Sequence, residues 1–352
     1  MISPLRSFTS DNIAGASPEI VESILKANAG QALPYGNDET SQRVEALFGE
    51  LFEHPVRIFP VTTGTVANAL CLAALTKPWS AVLCHQDSHI NHDECGAPEF
   101  FTSGAKLLAL GGEQAKIDPA QLEHALAQKI GDVHTVQPAC VSITQATEVG
   151  SIYSLGEIER IGALCKRHGV GLHMDGARFA NALATLDCSP ADMTWRAGVS
   201  LLSFGATKNG AVAAEAVVAF DLPLGAELAF RHKRAGQLMS KMRFCTAQLE
   251  AYLRDDLWLR NARHANAMAM RLACGLQASG VELTSRVEAN IVFCKLPLAA
   301  IKSLLQAGFR FYHDRWEPGV VRFVTSFATQ ADDVDALVDA ARQTLRHSLP
   351  VQ

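Results

Sequence analysis

The segment Leu172-His173-Met174-Asp175-Gly176-Ala177-Arg178 carries a short apolar run into an aspartate. Further on, Ser203-Phe204-Gly205-Ala206-Thr207-Lys208-Asn209-Gly210 carries a second run into a lysine flanked by small residues. An acid and a lysine at the ends of neighbouring strands are the pair that pyridoxal phosphate chemistry needs. The amine condenses with the cofactor aldehyde, and the acid keeps the pyridine nitrogen protonated so that the ring accepts electrons. Gly205, Ala206 and Gly210 read as room for a bulky ligand to approach the backbone. Alone, Lys208 also reads as a solvent-facing lysine in a turn. Asp175 also reads as the cap of the segment that starts at Gly176.

Three further groups could complete such a site. Thr62-Thr63-Gly64-Thr65-Val66-Ala67-Asn68 lies between a strand and a helix, where free amides and the helix dipole favour phosphate. The bland alternative is an ordinary helix cap. His85, His89 and His92 crowd a polar loop after a strand. A loop histidine can lie over the pyridine ring and move protons. The three together also raise a metal site, and with it a metal-dependent hydrolase. Arg322 sits inside Val320-Val321-Arg322-Phe323-Val324, where a charge must find a partner. An amino-acid carboxylate in a bidentate fork would serve, and so would a structural ion pair. Arg178, three residues after Asp175, falls close to the same place.

These residues need a scaffold. Short apolar runs alternate with helical segments from about residue 56 to 220. Strands are expected at Val56–Val61, Ala81–Cys84, Lys106–Leu110, Cys140–Thr144, Val170–Met174, Ser200–Phe204 and Ala216–Phe220. Helices are expected at Val66–Leu75, Pro119–Ala127 and Leu155–Arg167, with a short one after Arg178. Ser154-Leu155-Gly156-Glu157 matches a capping box. Strands separated by helices predict an α/β fold with a mostly parallel sheet covered on both faces. Before it lies an N-terminal arm and helix (1–30), then a loop Pro34-Tyr35-Gly36-Asn37-Asp38 and a helix from Thr40 to Phe52. After residue 221 come long helices at Gly225–Arg234, Met239–Leu253 and Asn261–Ala278. Strands Ile291–Lys295 and Val320–Thr325 and helices Ala299–Ala307 and Ala331–Leu345 follow. This divides the chain into 1–30, a large domain 31–245 and a smaller C-terminal α+β domain 246–352.

The 352 residues are 48% hydrophobic and 19% charged, with 36 acidic against 31 basic side chains. That balance argues against nucleic acid or an anionic membrane as partner. The opening Met1-Ile2-Ser3-Pro4-Leu5-Arg6 lacks the apolar core of a signal peptide, and no apolar run approaches the ~20 residues that span a bilayer. Nine cysteines without paired spacing read as reduced residues of a cytoplasmic protein.

The chain resembles the L-threonine aldolases, most closely their bacterial low-specificity branch. These are pyridoxal phosphate enzymes of the aspartate aminotransferase-like fold. The resemblance runs from about residue 6 to 345. It rests on Ser10-Asp11-Asn12, Tyr35-Gly36-Asn37-Asp38, Thr63-Gly64-Thr65-Val66-Ala67-Asn68, Ser88-His89-Ile90, the Asp175-Gly176-Ala177-Arg178 segment, Thr207-Lys208 and Lys241-Met242-Arg243. It implies that Lys208 carries the cofactor, Asp175 meets its ring nitrogen, Gly64 and Thr65 bind its phosphate, and His89 stacks on its ring. Ser10, Arg178 and Arg322 would bind or surround the carboxylate of a small amino-acid substrate. Tyr35 and Arg243 would serve a neighbouring subunit's site in a homo-oligomer, usually a tetramer. The implied reaction is retro-aldol cleavage of β-hydroxy-α-amino acids to glycine and an aldehyde; a β-eliminating lyase is the nearest alternative. One segment departs from the family. A Thr-His-Asn run often follows the strand that ends here at Thr144, and its histidine has been considered a catalytic base. This chain has Gln145-Ala146-Thr147-Glu148, with Thr147 in that place. His89 becomes the first candidate base, with His92 and Glu94 behind it.

Overall fold

A computed structural model describes residues 6–348; the opening Met1–Leu5 lies outside the described residues. Thirteen strands occur among them: β1 Arg6–Ser7, β2 Arg57–Val61, β3 Ser80–His85, β4 Lys106–Leu110, β5 Gln137–Thr144, β6 Gly171–Gly176, β7 Leu201–Gly205, β8 Glu215–Ala219, β9 Glu282–Leu283, β10 Ile291–Lys295, β11 Phe309–Arg310, β12 Tyr312–His313 and β13 Val320–Val324.

Strands β2 to β8 form one seven-stranded sheet in the order β2-β8-β7-β6-β5-β3-β4. Strand β8 runs antiparallel to both neighbours, β2 and β7; the other pairings are parallel. All seven strands coincide with the apolar runs. Strands β3, β7 and β8 are buried along their whole length, as strands covered on both faces must be. The Gly64–Leu75 helix presses on one face, with every side chain from Val66 to Ala73 buried.

Local chemistry sets the helix starts. Asp38 caps Glu39–Leu51 through a 2.9 Å bond from the Ser41 amide. Ser154 and Glu157 close a reciprocal capping box on Leu155–His168, which ends at Gly169 with φ 67°. The expected helix from Met239 instead starts at Arg243. Residues before it turn so that the Ser240 carbonyl accepts the Tyr35 amide at 3.1 Å.

A second sheet, β12-β13-β10-β9, is antiparallel. The Leu257–Gln277 helix joins the two cores. Leu257, Trp258 and Ala262 pack into the main core, while Ala269, Leu272, Ala273 and Leu276 pack into the second. Phe8 also packs in the second core, and β1 pairs with β11. Two-residue strands of this kind carry too little periodicity to be seen in sequence. No helix among the described residues is long and apolar enough to cross a membrane.

Candidate active site

Strands β6 and β7 are parallel neighbours, with Asp175 opposite Ser203 and Gly176 opposite Phe204. Asp175 and Lys208 therefore leave the sheet at the same edge, the carboxyl end where α/β proteins bind ligands. Asp175 is 3% exposed. Its Oδ1 accepts the Ala177 amide at 3.0 Å, so the local cap does form. Its Oδ2 accepts Nδ2 of Asn68 at 2.9 Å. Lys208 lies in a tight turn, Thr207–Asn209. Asn209 pins that turn by donating to the Tyr252 hydroxyl at 2.7 Å and the Trp258 carbonyl at 2.8 Å. The Lys208 amine makes no hydrogen bond or ion pair with any described residue.

The small residues around Lys208 are not ligand room. A Cβ on Gly205 would sit 2.7 Å from the Ala177 carbonyl oxygen and 2.8 Å from its Cα; one on Gly210 would clash with Ser17 Oγ. Gly205 lets the ends of β6 and β7 pack backbone against backbone, and Gly210 leaves room for the Ser17 and Asn261 side chains.

His89 opens the four-residue helix His89–His92, and the chain turns at Cys95 and Gly96, both at positive φ. His89 Nδ1 donates to Glu94 Oε1 at 2.8 Å, and Asn68 donates to the same oxygen at 2.8 Å. The Glu94 hydrogen bond holds the His89 imidazole above its ordinary range against the opposing effect of burial. Burial pushes the Glu94 carboxyl up, with Asp175 adding to it, while His89 and Asn68 pull it down. His85 turns away, donating to the Gly112 carbonyl at 3.2 Å and accepting the Asp87 amide at 3.1 Å. His92 is exposed. No group of three or more His, Cys, Asp or Glu is arranged to hold a metal among the described residues, so the histidine-centred hydrolase loses its ligand set.

At the start of the Gly64–Leu75 helix, Thr63 accepts the Val66 amide at 3.3 Å. The Gly64 and Thr65 amides meet no acceptor among the described residues, and a Cβ on Gly64 would touch nothing within 4 Å.

The arginines divide. Arg178 is engaged by Asp11, Nε to Oδ2 at 2.8 Å and Nη2 to Oδ1 at 3.2 Å, both side chains buried. Ser10 accepts the Asn12 amide at 3.1 Å beside this pair. Arg322 makes no hydrogen bond or ion pair with any described residue, and its buried Nε is unpartnered. Burial, then the like charge of Arg178, pushes its guanidinium down; Glu148 and Asp11 oppose this. Tyr35 and Arg243 are not brought to the cluster. Tyr35 lies under Lys233, whose Nζ is 5.1 Å from the ring centroid, and Arg243 donates to the Gly30 carbonyl at 3.4 Å.

Thr147 is fully buried and bonds Ser151 Oγ at 2.8 Å and the Gln114 carbonyl at 3.3 Å, which removes it from chemistry. The next residue, Glu148, is the acid that the sequence reading passed over. Its charge acts on His89, Arg178 and Arg322, which come from three separate elements. Under the site, His173 bonds Ser142 and Ser203 at 2.9 and 3.0 Å, and burial pushes it down to about 4. Glu215, at the start of β8, accepts the Ala206 amide at 3.0 Å; burial pushes it up to about 7, opposed by Thr207 and Lys208. Neither residue carries a sequence signal beyond an isolated polar letter in an apolar strand.

A profile of the beta-eliminating lyase family matches residues 7–298. The low specificity L-threonine aldolase of Pseudomonas aeruginosa is 45% identical over 94% of this chain and 96% of its own length. The chain belongs to the low-specificity L-threonine aldolases. A solved threonine aldolase of Leishmania major superposes with a TM-score of 0.91 at 31% identity, covering 97% of this chain and 99% of its own. An aspartate aminotransferase of Thermus thermophilus shares the fold, with a TM-score of 0.69 at 15% identity over 97% of this chain. Threonine aldolases are lyases of the pyridoxal phosphate-dependent class. The residues present fit that cofactor: a partnerless lysine amine, a buried acid at the end of the adjacent strand on the same edge, and two free amides at a helix start.

Proposed function

We propose that the protein cleaves L-threonine, L-allo-threonine and related β-hydroxy-α-amino acids to glycine and an aldehyde by retro-aldol scission of the Cα–Cβ bond. The observation that carries this reading is one gathering at the sheet edge. It holds Lys208, the acid Asp175 held by Asn68 and the His89–Glu94 pair, and the partnerless guanidinium of Arg322, on β13, faces the charges of Arg178, Glu148 and Asp11 beside them. The full-length likeness to the Pseudomonas aeruginosa enzyme supports it.

When bound, pyridoxal phosphate gives the electron pair left at Cα a place to go. Lys208 would hold it through its amine, while the Gly64 and Thr65 amides would take its phosphate. Asp175 would keep its ring nitrogen protonated. Arg322, with Ser10 and the Arg178–Asp11 pair around it, would bind the substrate carboxylate and so decide which Cα bond stands perpendicular to the ring. His89 would stack on the ring and accept the β-hydroxyl proton at Nε2, since Nδ1 is engaged by Glu94.

We read the working unit as a cytoplasmic homotetramer in which Tyr35 and Arg243 face a neighbour's cofactor. Ile13, Val21, Leu25, Leu33 and Tyr35 all expose apolar surface in one N-terminal stretch, as a face buried by a second copy would. The nine free cysteines suit a reducing compartment. Light scattering of the holoenzyme is expected to give four chains.

The deciding experiment supplies pyridoxal phosphate with L-threonine, L-allo-threonine or phenylserine and identifies the products. Glycine and the matching aldehyde in equal amounts are expected. Ammonia with a keto acid would sink the reading in favour of a β-eliminating lyase, which the family profile's name also covers.

A further inference from the structure

The Glu94 carboxylate is fully inaccessible, yet only one of its oxygens is engaged. Oε1 accepts both His89 Nδ1 and Asn68 Nδ2, each at 2.8 Å, while Oε2 is buried without a partner. Asn68 gives its second amide proton to Asp175 at 2.9 Å. One side-chain amide therefore bridges the acid proposed to meet the ring nitrogen and the acid that holds the histidine. Asn68 sits in the first turns of a buried helix and Glu94 in a turn built by two positive-φ residues, so neither is free to drift. A buried carboxylate bonded to one imidazole nitrogen fixes the tautomer and leaves the other nitrogen as an acceptor. His89 is 30% exposed, and no described residue engages its Nε2. The charges that face His89 are Glu94 and Asp175 on the acidic side, with Glu148, and Lys208 on the basic side.

We propose that Glu94 is the positioning residue of the His89 base: it holds the Nδ1–H tautomer, turns Nε2 toward the substrate, and through Asn68 ties the charge of His89 to that of Asp175. This rests on the reading of His89 as the proton acceptor. The proton path balances simply. The β-hydroxyl proton passes to Nε2 as the Cα–Cβ bond breaks and the β-oxygen becomes the aldehyde carbonyl; the electron pair stays with Cα, and the proton on the imidazolium, held facing the Glu94 carboxylate, is then delivered to Cα to complete glycine.

The test measures His89 directly as well as turnover. Diethyl pyrocarbonate reacts with neutral imidazole, so the pH midpoint of its reaction at the His89 peptide, read by mass spectrometry on the holoenzyme, reports the charge on that ring. In Glu94→Gln the midpoint is expected to fall, and the acid limb of kcat/KM to fall with it, while kcat drops by about 10²-fold with KM little changed. Glu94→Asp keeps the charge and is expected to restore part of both. An unchanged His89 midpoint in Glu94→Gln overturns the proposal, as does a folded Glu94→Asp that recovers neither the midpoint nor the acid limb; the second outcome serves alone where Glu94→Gln does not fold. Full turnover in His89→Asn instead removes the base assignment itself, and leaves the midpoint shift to judge the grip of Glu94 on the ring.

Discussion

Arg178 and Asp11 close a two-point ion pair whose side chains are 4% and 1% exposed. The pair ties the N-terminal arm to the loop that follows β6, and Asn290 adds a third bond to Asp11 at 3.1 Å. Burial works against both charges, yet Arg178 keeps the Asp11 carboxyl below its ordinary range. Arg178 is thus committed to Asp11, and in the proposed function it lines the carboxylate site rather than clamping the substrate itself.

Asp11→Ala strands that guanidinium in a dry site. Removing one partner of a buried pair costs about 3–5 kcal/mol, so the denaturant midpoint is expected to fall with the slope unchanged. Because the folded carboxyl titrates below the unfolded value of 3.8, the contribution is complete above that pH and is lost as pH falls further. An Asp11→Ala variant as stable as the parent at neutral pH would show that the pair contributes nothing.

Arg322 is the opposite case, a guanidinium with no counter-ion of its own. Its loss should weaken catalysis and relieve the fold. A bond to a charged group is worth about 1.5–3 kcal/mol, so Arg322→Met is expected to lower kcat/KM for L-threonine by about 10- to 150-fold. Arg322→Lys should recover little, because an ammonium cannot make the fork. The thermal midpoint of Arg322→Met is expected to rise, since a buried unpaired charge is removed. A fall in that midpoint would mean that Arg322 is a structural arginine.

The scaffold was readable because each strand of the large sheet is a self-contained apolar run; β7 and β8 need no distant partner to be recognised. Asp175 and Lys208 were readable for the same reason, as polar letters at the ends of such runs. What the sequence hid were pairings across long separations. Asp11 meets Arg178, and Asn68 meets both Glu94 and Asp175, through contacts that no local pattern encodes. Gly205 was legible as a place needing a small residue but not as to why: the close neighbour is the Ala177 backbone, not a ligand. The Thr147 position drew attention to a missing histidine, while the charge that faces the site belongs to Glu148, one residue on.

The raised His89 sets an acid limb. Its folded value lies above the ordinary 6.5, chiefly through Glu94. The stability from that contact is therefore complete below pH 6.5 and lost as pH rises through the folded value. With His89 as the proposed proton acceptor, turnover requires its neutral ring, so kcat/KM is expected to climb through a midpoint above 6.5, and His89→Asn to abolish that limb and lower kcat by about 10²–10⁴-fold. A limb that persists in His89→Asn moves the proton acceptor, with Glu148 the next acid in line.

Glu215 offers a test that does not involve substrate. It lies under the Lys208 turn, and burial lifts its carboxyl from 4.5 to about 7. Below pH 4.5 both folded and unfolded chains hold the proton. Between 4.5 and about 7 the unfolded chain releases it and the folded chain does not, so this group makes stability fall as pH rises. Above that window both are charged and the penalty is constant. Glu215→Gln keeps an oxygen for the Ala206 amide and removes the titration. The thermal midpoint of the variant is expected to gain on the parent steadily across the window and then hold its lead. Parallel curves for the two proteins would show that Glu215 is already charged in the fold, with Lys208 as its counter-ion.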